Sequence, residues 1–273
     1  MLSDWQRHFT SEQKERIWRL GLLTGLRFDK GRGFRPANFE RALVLQRLIA
    51  LQRPASILEL GTGRGLGALA AADAVREHGL ETEIVTVDII SPTEPQCWPI
   101  EVDGKQEERR ASIDEIWQKH VDIELRQRVK LRTGDTKAVL PALASQGKKF
   151  DLIFIDAGHN LYSVIYDLCY AATLLAPDGV ILMDDFAPLE EFGLGTCVAV
   201  AHARRWFGLV ETFATEGIVF GGASHPDSPR GMVLLKGPKE SRPRIRTWMF
   251  AWWRFASAIL ERCYQSKFFP LSR

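Results

Sequence analysis

Cysteine is sparse in this chain, and its four copies, Cys97, Cys169, Cys197 and Cys263, stand far apart, with no CxxC pair and no Cys/His spacing of a zinc site. Neither a disulfide framework nor a structural zinc is expected; the thiols read as reduced and the protein as cytoplasmic. Net charge is nearly absent as well. Lys and Arg number 36 against 34 Asp and Glu, so the overall balance of +2 gives nucleic acid nothing to hold. No uncharged apolar run reaches the ~18 residues that span a bilayer. The opening MLSDWQRHFTSEQKER is too charged for the apolar part of a secretory signal. At 273 residues the chain has room for one large or two small domains with a core of their own.

What is present is an alternation of periods. Residues 11–25 and 38–52 space their apolar positions as helices do, with Asn38 placed to cap the second. Ser56-Ile57-Leu58-Glu59-Leu60 is then a short apolar run, ended by Gly61-Thr62-Gly63-Arg64-Gly65 and followed by an Ala-rich helix to about His78. Strands follow at 83–87, 129–132, 150–155 and 179–183, separated mostly by helical stretches near 113–127, 136–146 and 161–175. This predicts an α/β, doubly wound, mostly parallel sheet. A helix near 196–207 and strands at 209–213 and 232–236 complete it, the last pair forming an antiparallel edge. The stretch 90–112, rich in proline and charge, reads as a long loop over the site. The chain divides into a helical lead-in (1–53), a cofactor domain (54–238) and a basic, Trp-rich tail (239–273).

In a doubly wound sheet, ligands bind beyond the carboxyl ends of the strands, so the residues ending the strands matter most. Gly61, Gly63 and Gly65 let the backbone turn sharply and approach a ligand. The third glycine of a dinucleotide G-x-G-x-x-G is missing, since Leu66 holds its place. Glu59, two residues before the loop, would repel a pyrophosphate but suits a ligand bearing an ammonium and a sulfonium. Asp88, at the next strand end, is placed to accept hydrogen bonds from ribose hydroxyls, as an acid there does for either cofactor class. S-adenosylmethionine is thereby favoured over a dinucleotide.

ILELGTGRG, VTVDI, TGDTKAVLPAL, FDLIFIDAGH and GVILMDD, in this order, resemble the successive motifs of class I S-adenosylmethionine-dependent methyltransferases. The likeness is strongest to the metal-dependent catechol and caffeoyl-CoA-type small-molecule O-methyltransferases and their bacterial relatives. It implies a Rossmann-like, seven-stranded sheet whose last strand is antiparallel. It places Glu59, Gly61 and Gly63 around the methionine part of S-adenosyl-L-methionine, Asp88 on the ribose, and Asp135 and Thr136 beside the adenine, with Thr62 and Gly65 as further cofactor-binding residues of the loop. Gly67 stands where the catechol type often has a serine near the methionine carboxylate.

Asp156 closes one expected strand and Asp184-Asp185 the next, so three carboxylates gather on one rim if those strands are neighbours. Such crowding calls for a cation, and an all-oxygen set favours Mg2+, Mn2+ or Ca2+ over zinc. The resemblance also points to metal at Asp156, Asp184 and Asp185, with Asp185 in place of the usual asparagine and Asp156 beside the cofactor amine as well. His159 occupies the place of the catechol-type lysine base, so His159 and Asp156 are the catalytic candidates. The expected activity is metal-assisted O-methylation of a small hydroxylated acceptor. The alternatives are metal-independent methylation and a non-catalytic scaffold that keeps the fold.

The tail carries eight basic residues against Glu240 and Glu261, a net +6. On a helical wheel Trp248, Met249, Trp252, Trp253, Phe255, Ile259, Leu260 and Cys263 share one side, opposite Arg246, Arg254, Ser257 and Glu261. This amphipathic helix suits packing on the domain, a homodimer contact, or a peripheral lie at the inner membrane face.

Overall fold

The computed structural model describes residues 2, 4–31, 33–221, 230–239, 250 and 252–258. A 3-10 turn, Trp5–His8, precedes helix α1 (Ser11–Thr24), a small hairpin of β1 (Leu26–Asp29) and β2 (Gly33–Pro36), and α2 (Glu40–Gln52). Next come β3 (Ser56–Leu60), α3 (Leu66–Glu77), β4 (Glu83–Asp88), a second hairpin of β5 (Gln96–Val102) and β6 (Lys105–Ala111), α4 (Ile113–His120) and α5 (Ile123–Gln127). The chain continues through β7 (Val129–Thr133), α6 (Thr136–Ser145), β8 (Phe150–Ile155), α7 (Leu161–Leu174) and β9 (Leu175–Phe186). It then forms a 3-10 turn (Glu191–Gly193), α8 (Leu194–Ala203), β10 (Phe207–Ala214) and β11 (Gly231–Pro238).

Seven strands form one sheet in the order β10-β11-β9-β8-β3-β4-β7. All pairings from β9 through β7 are parallel, while β11 runs antiparallel to both neighbours. This is the doubly wound, Rossmann-like sheet with an antiparallel last strand that the motif order implies. Successive strand residues face opposite layers. Thus Ile57 and Phe154 join a core with α1, α2 and α3, whereas Leu58 and Ile155 join one with α6, α7 and α8. Small Ala68, Ala70, Ala71, Ala72 and Ala74 along α3 allow that helix to lie close on the sheet.

Three expectations need correction. Asn38 does not cap α2. That helix begins at Glu40 with Phe39 in the cap position, and Asn38 sits in a left-handed backbone at φ 51°. Residues 96–111 are an antiparallel hairpin, because Trp98 and Ile100 bury themselves while the charged side chains stay outward. The helix near 113–127 is two helices, broken at Val121 and restarted by the Asp122 side chain, which accepts from Glu124 N.

Of the tail, residues 252–258 are helical, as is Phe250. Phe250 and Trp253 are buried against Tyr166, Tyr170 and His202, while Trp252 and Phe255 are 57% and 65% exposed. The buried stripe is therefore Phe250, Trp253 and Ser257, not the side of Trp252 and Phe255, because aromatic rings already exposed on α7 and α8 select the partner face. The expectations for 240–249 and 259–273 lie outside the described residues. Among the described residues no helix is long and apolar enough to cross a membrane.

Candidate active site

The carboxyl ends of β3, β4 and β8 converge where the winding of the sheet reverses, the position at which such folds bind ligands. A cavity of about 290 Å3 opens there, lined by Gly61, Gly63, Asp88, Asp135, Thr136 and Asp156 among others. Gly61 is positive in φ, and a Cβ on it would strike the backbone of Asp156, so only glycine brings the loop this close to β8. Asp88 already shapes the rim by accepting from Gly63 N at 2.8 Å and Ile90 N at 2.9 Å. Asp135 caps α6 through Lys137 N at 2.9 Å, and Lys137 Nζ stands 3.6 Å from its carboxylate.

Three residues expected at the cofactor, Glu59, Thr62 and Gly65, do not line this cavity. Glu59 lies beneath the loop, 3% exposed, and accepts from Thr86 Oγ1 at 2.5 Å. Burial pushes its carboxyl up to about 8. Gly67 is glycine because a Cβ there would overlap Glu59 Oε1 and crowd Phe154. Gly65, left-handed at φ 99°, begins α3 beneath Trp117, whose ring fills the space of a Cβ. Thr62 turns inward to Thr86, 2.6 Å between hydroxyls, and borders a second, smaller cavity.

Asp156, Asp184 and Asp185 do converge. One oxygen from each lies within 4.8 Å of the others. Asp185 adopts φ 59°, a left-handed conformation that turns its carboxylate toward this rim. Cations from distant parts of the chain meet the three acids. Arg41, on α2, brings Nη1 to 3.2 Å from Asp184 and Nε to 3.6 Å from Asp156. Asn38 Nδ2 donates to Asp184 at 3.2 Å, so its left-handed backbone serves the rim and not the helix. Arg230 Nη1 stands 3.8 Å from Asp185, its guanidinium stacked over Phe192. His159 Nδ1 is 2.7 Å from Asp185 Oδ2.

The electrostatics follow from depth. Burial, partly offset by Arg41, together with repulsion from its neighbours, pushes the Asp156 carboxyl well above its ordinary range. Burial and Asp185 do the same to Asp184. Burial also opposes ionisation of Asp185, but the His159 contact overrides it and holds that carboxyl low. The same hydrogen bond raises His159. Asn38, Arg41 and Arg230 carry no local signal in the sequence, since their partners lie on strands and loops far away along the chain.

Residues 58–186 match the family model described as a methyltransferase domain. The O-methyltransferase hkm8 of Aspergillus hancockii is 29% identical over 133 residues, covering 49% of this chain and 43% of that protein. The fold of the chain is shared with the Bacillus cereus O-methyltransferase crystallised with SAH, at a TM-score of 0.53, 18% identity and 86% and 94% coverage of the two chains. It is shared equally with cofactor-bound Rv0187 from MTB, at 0.52, 17%, and 84% and 92%. All five motif segments named from the sequence fall within or just outside the matched span, and their strand ends build both the cavity and the acidic rim.

Proposed function

We propose that this protein transfers the methyl group of S-adenosylmethionine to an oxygen of a small hydroxylated acceptor, with a divalent cation (Mg2+, Mn2+ or Ca2+) assisting at Asp156, Asp184 and Asp185. The observation that carries the reading is one groove in which a nucleoside-sized cavity, edged by Asp88, Asp135 and Thr136, runs directly into that carboxylate rim at Asp156. The donor set fits the cation. Three hard oxygen ligands stand within 4.8 Å of one another, and burial together with their mutual repulsion pushes two of them toward protonation despite Arg41. When bound there, a divalent cation would lower the pKa of an acceptor hydroxyl.

The chain supplies the remainder. Asp88 accepts from the ribose, Asp135 and Thr136 border the base, and Gly61, Thr62 and Gly63 pass beside the methionine end, with Gly65 setting the loop's curvature. Glu59 supports the loop from below, through Thr86 and Thr62. Asp156 faces the donor's cationic amine, while Asp185 fixes the His159 ring through Nδ1 and leaves Nε2 to take the acceptor proton. Alignment of the nucleophile with the sulfonium is the main demand on the site.

Calorimetry with S-adenosylmethionine and S-adenosylhomocysteine tests the cofactor. Binding of both is expected, and no heat at high concentration would remove the proposal. Turnover of catechol-like acceptors with and without EDTA, alongside Asp185→Ala, tests the cation: activity should collapse in chelator and in the variant, and full activity in EDTA would eliminate cation assistance.

A further inference from the structure

The acidic rim of Asp156, Asp184 and Asp185 meets three guanidinium groups brought from separate parts of the chain, Arg27, Arg41 and Arg230. Arg41 is engaged directly, by Asp184 and Asp156. Arg230 is not. Its side chain is only 7% exposed, Nη1 stands 3.8 Å from Asp185, beyond hydrogen-bond reach, and Nε is buried without a hydrogen-bond partner. Arg27, on β1, lines the smaller cavity together with Arg41 and Asp156. Its cross-strand neighbour Arg35 is paired with Asp29, whereas no hydrogen bond or ion pair of the Arg27 side chain is present among the described residues. Burial, and after it the nearby Arg230 and Arg41, depress Arg27, while Asp185 works the other way, so this side chain lies within electrostatic reach of Arg230 and Asp185.

Formal charge limits what this arrangement can take. With all three acids ionised, Arg27, Arg41 and Arg230 cancel them. The divalent cation and the sulfonium of the proposed reaction would each add positive charge at the same place. A neutral acceptor leaves that excess uncompensated, whereas an anionic group beside the acceptor hydroxyl cancels part of it. Arg27 and Arg230, which make no hydrogen bond to a described residue through their side chains, have the planar fork that fits a carboxylate. Phe192 lies under the Arg230 guanidinium at 4.1 Å and edge-on to the His159 ring at 6.1 Å, so aromatic surface adjoins both the free cation and the proposed base.

We propose that the acceptor is a hydroxylated aromatic carboxylate whose carboxylate is held by Arg27 and Arg230. The proposal rests on the methyl-transfer reading above and names the substrate class of the same site.

The test is calorimetric, on protein saturated with S-adenosylhomocysteine and Mg2+, with two probes that differ in the carboxylate: protocatechuate carries one on its ring, and catechol does not. Wild type should bind protocatechuate at least about tenfold more tightly than catechol, and Arg27→Gln should remove most of that preference. A purely structural role for Arg27 would weaken both probes alike and leave the ratio unmoved. Arg27→Lys keeps the charge and should retain part of the preference. Arg230→Gln provides a second arm, with thermal melting to verify its fold. Equal affinity of wild type for the two probes, or a preference that survives either Gln substitution, overturns the proposal. Competition by inorganic phosphate that benzoate does not match would assign the arginines to a phosphorylated acceptor and likewise overturn it. If S-adenosylhomocysteine binds and neither probe does, the substrate class falls while the cofactor reading stands. If S-adenosylhomocysteine itself gives no heat, the cofactor reading falls and takes this proposal with it.

Discussion

Glu59 and Gly67 form one unit, in which an acidic side chain folded under the glycine loop occupies the volume that any larger residue at 67 would need. Gly67→Ser should cost about 1–3 kcal/mol through overpacking, read as a lower urea midpoint at unchanged slope. The buried carboxyl also sets a pH dependence. Its pKa is raised by folding from 4.5 to about 8, so the native state holds a proton that the unfolded chain gives up earlier. That favours the fold below pH 4.5 and costs stability progressively as pH rises toward 8. Glu59→Gln removes this contribution, so its melting temperature should gain on wild type between pH 5 and 8. Parallel melting curves across that range would count against the assignment. The glycine loop and the acids at 88, 135, 156, 184 and 185 were legible because each ends a strand. The arginines were not, since residue 41 reaches Asp184 across a separation of 143 positions and nothing local marks it.

Among elements, the hairpin of β5 and β6 was hidden by composition. Its proline and the charged run from Lys105 to Arg110 look like a loop, yet β6 alternates in burial and Trp98 in β5 is completely buried. Its indole donates to Leu23 O at 2.6 Å, tying the hairpin to the end of α1. Pro99 O receives Arg64 at 3.3 Å. Trp98→Ala should therefore cost about 3–5 kcal/mol by cavity formation, and it should also weaken S-adenosylhomocysteine binding, because the carbonyl that steadies Arg64 moves with the hairpin. Stability loss without any change in affinity would separate the hairpin from the groove. The parallel strands were readable because burial on both faces demands continuous apolar runs. The short hairpins offer too few residues for such a pattern.

For the molecule as a whole, the described part of the tail divides into a covered and an uncovered side. Trp253 sits against the His202 ring at a centroid distance of 4.7 Å, and Phe250 against Tyr166 at 4.6 Å. Trp253→Ala is expected to cost about 3–5 kcal/mol, whereas Trp252→Ala and Phe255→Ala should fall within about 0.5 kcal/mol. If self-association uses the uncovered side, sedimentation of the Trp252→Ala, Phe255→Ala double variant will show more monomer than wild type at equal concentration, and binding to anionic vesicles will drop if a lipid surface is its partner. Wheel geometry gave the amphipathic character but not which rings turn inward, because that depends on the aromatic residues of α7 and α8.

The earliest residues are fastened to nearly the last strand of the sheet. Leu2 N donates to Glu211 at 3.4 Å and the Trp5 indole to Ala214 O at 3.3 Å, each contact closing a separation of 209 residues. Both side chains are almost wholly buried. During synthesis these groups leave the ribosome 209 residues ahead of their partners and stay unsheltered until β10 follows, so their docking belongs to a late stage of folding. Over that interval a nascent chain presents an unsheltered tryptophan, the kind of apolar surface that holding chaperones recognise.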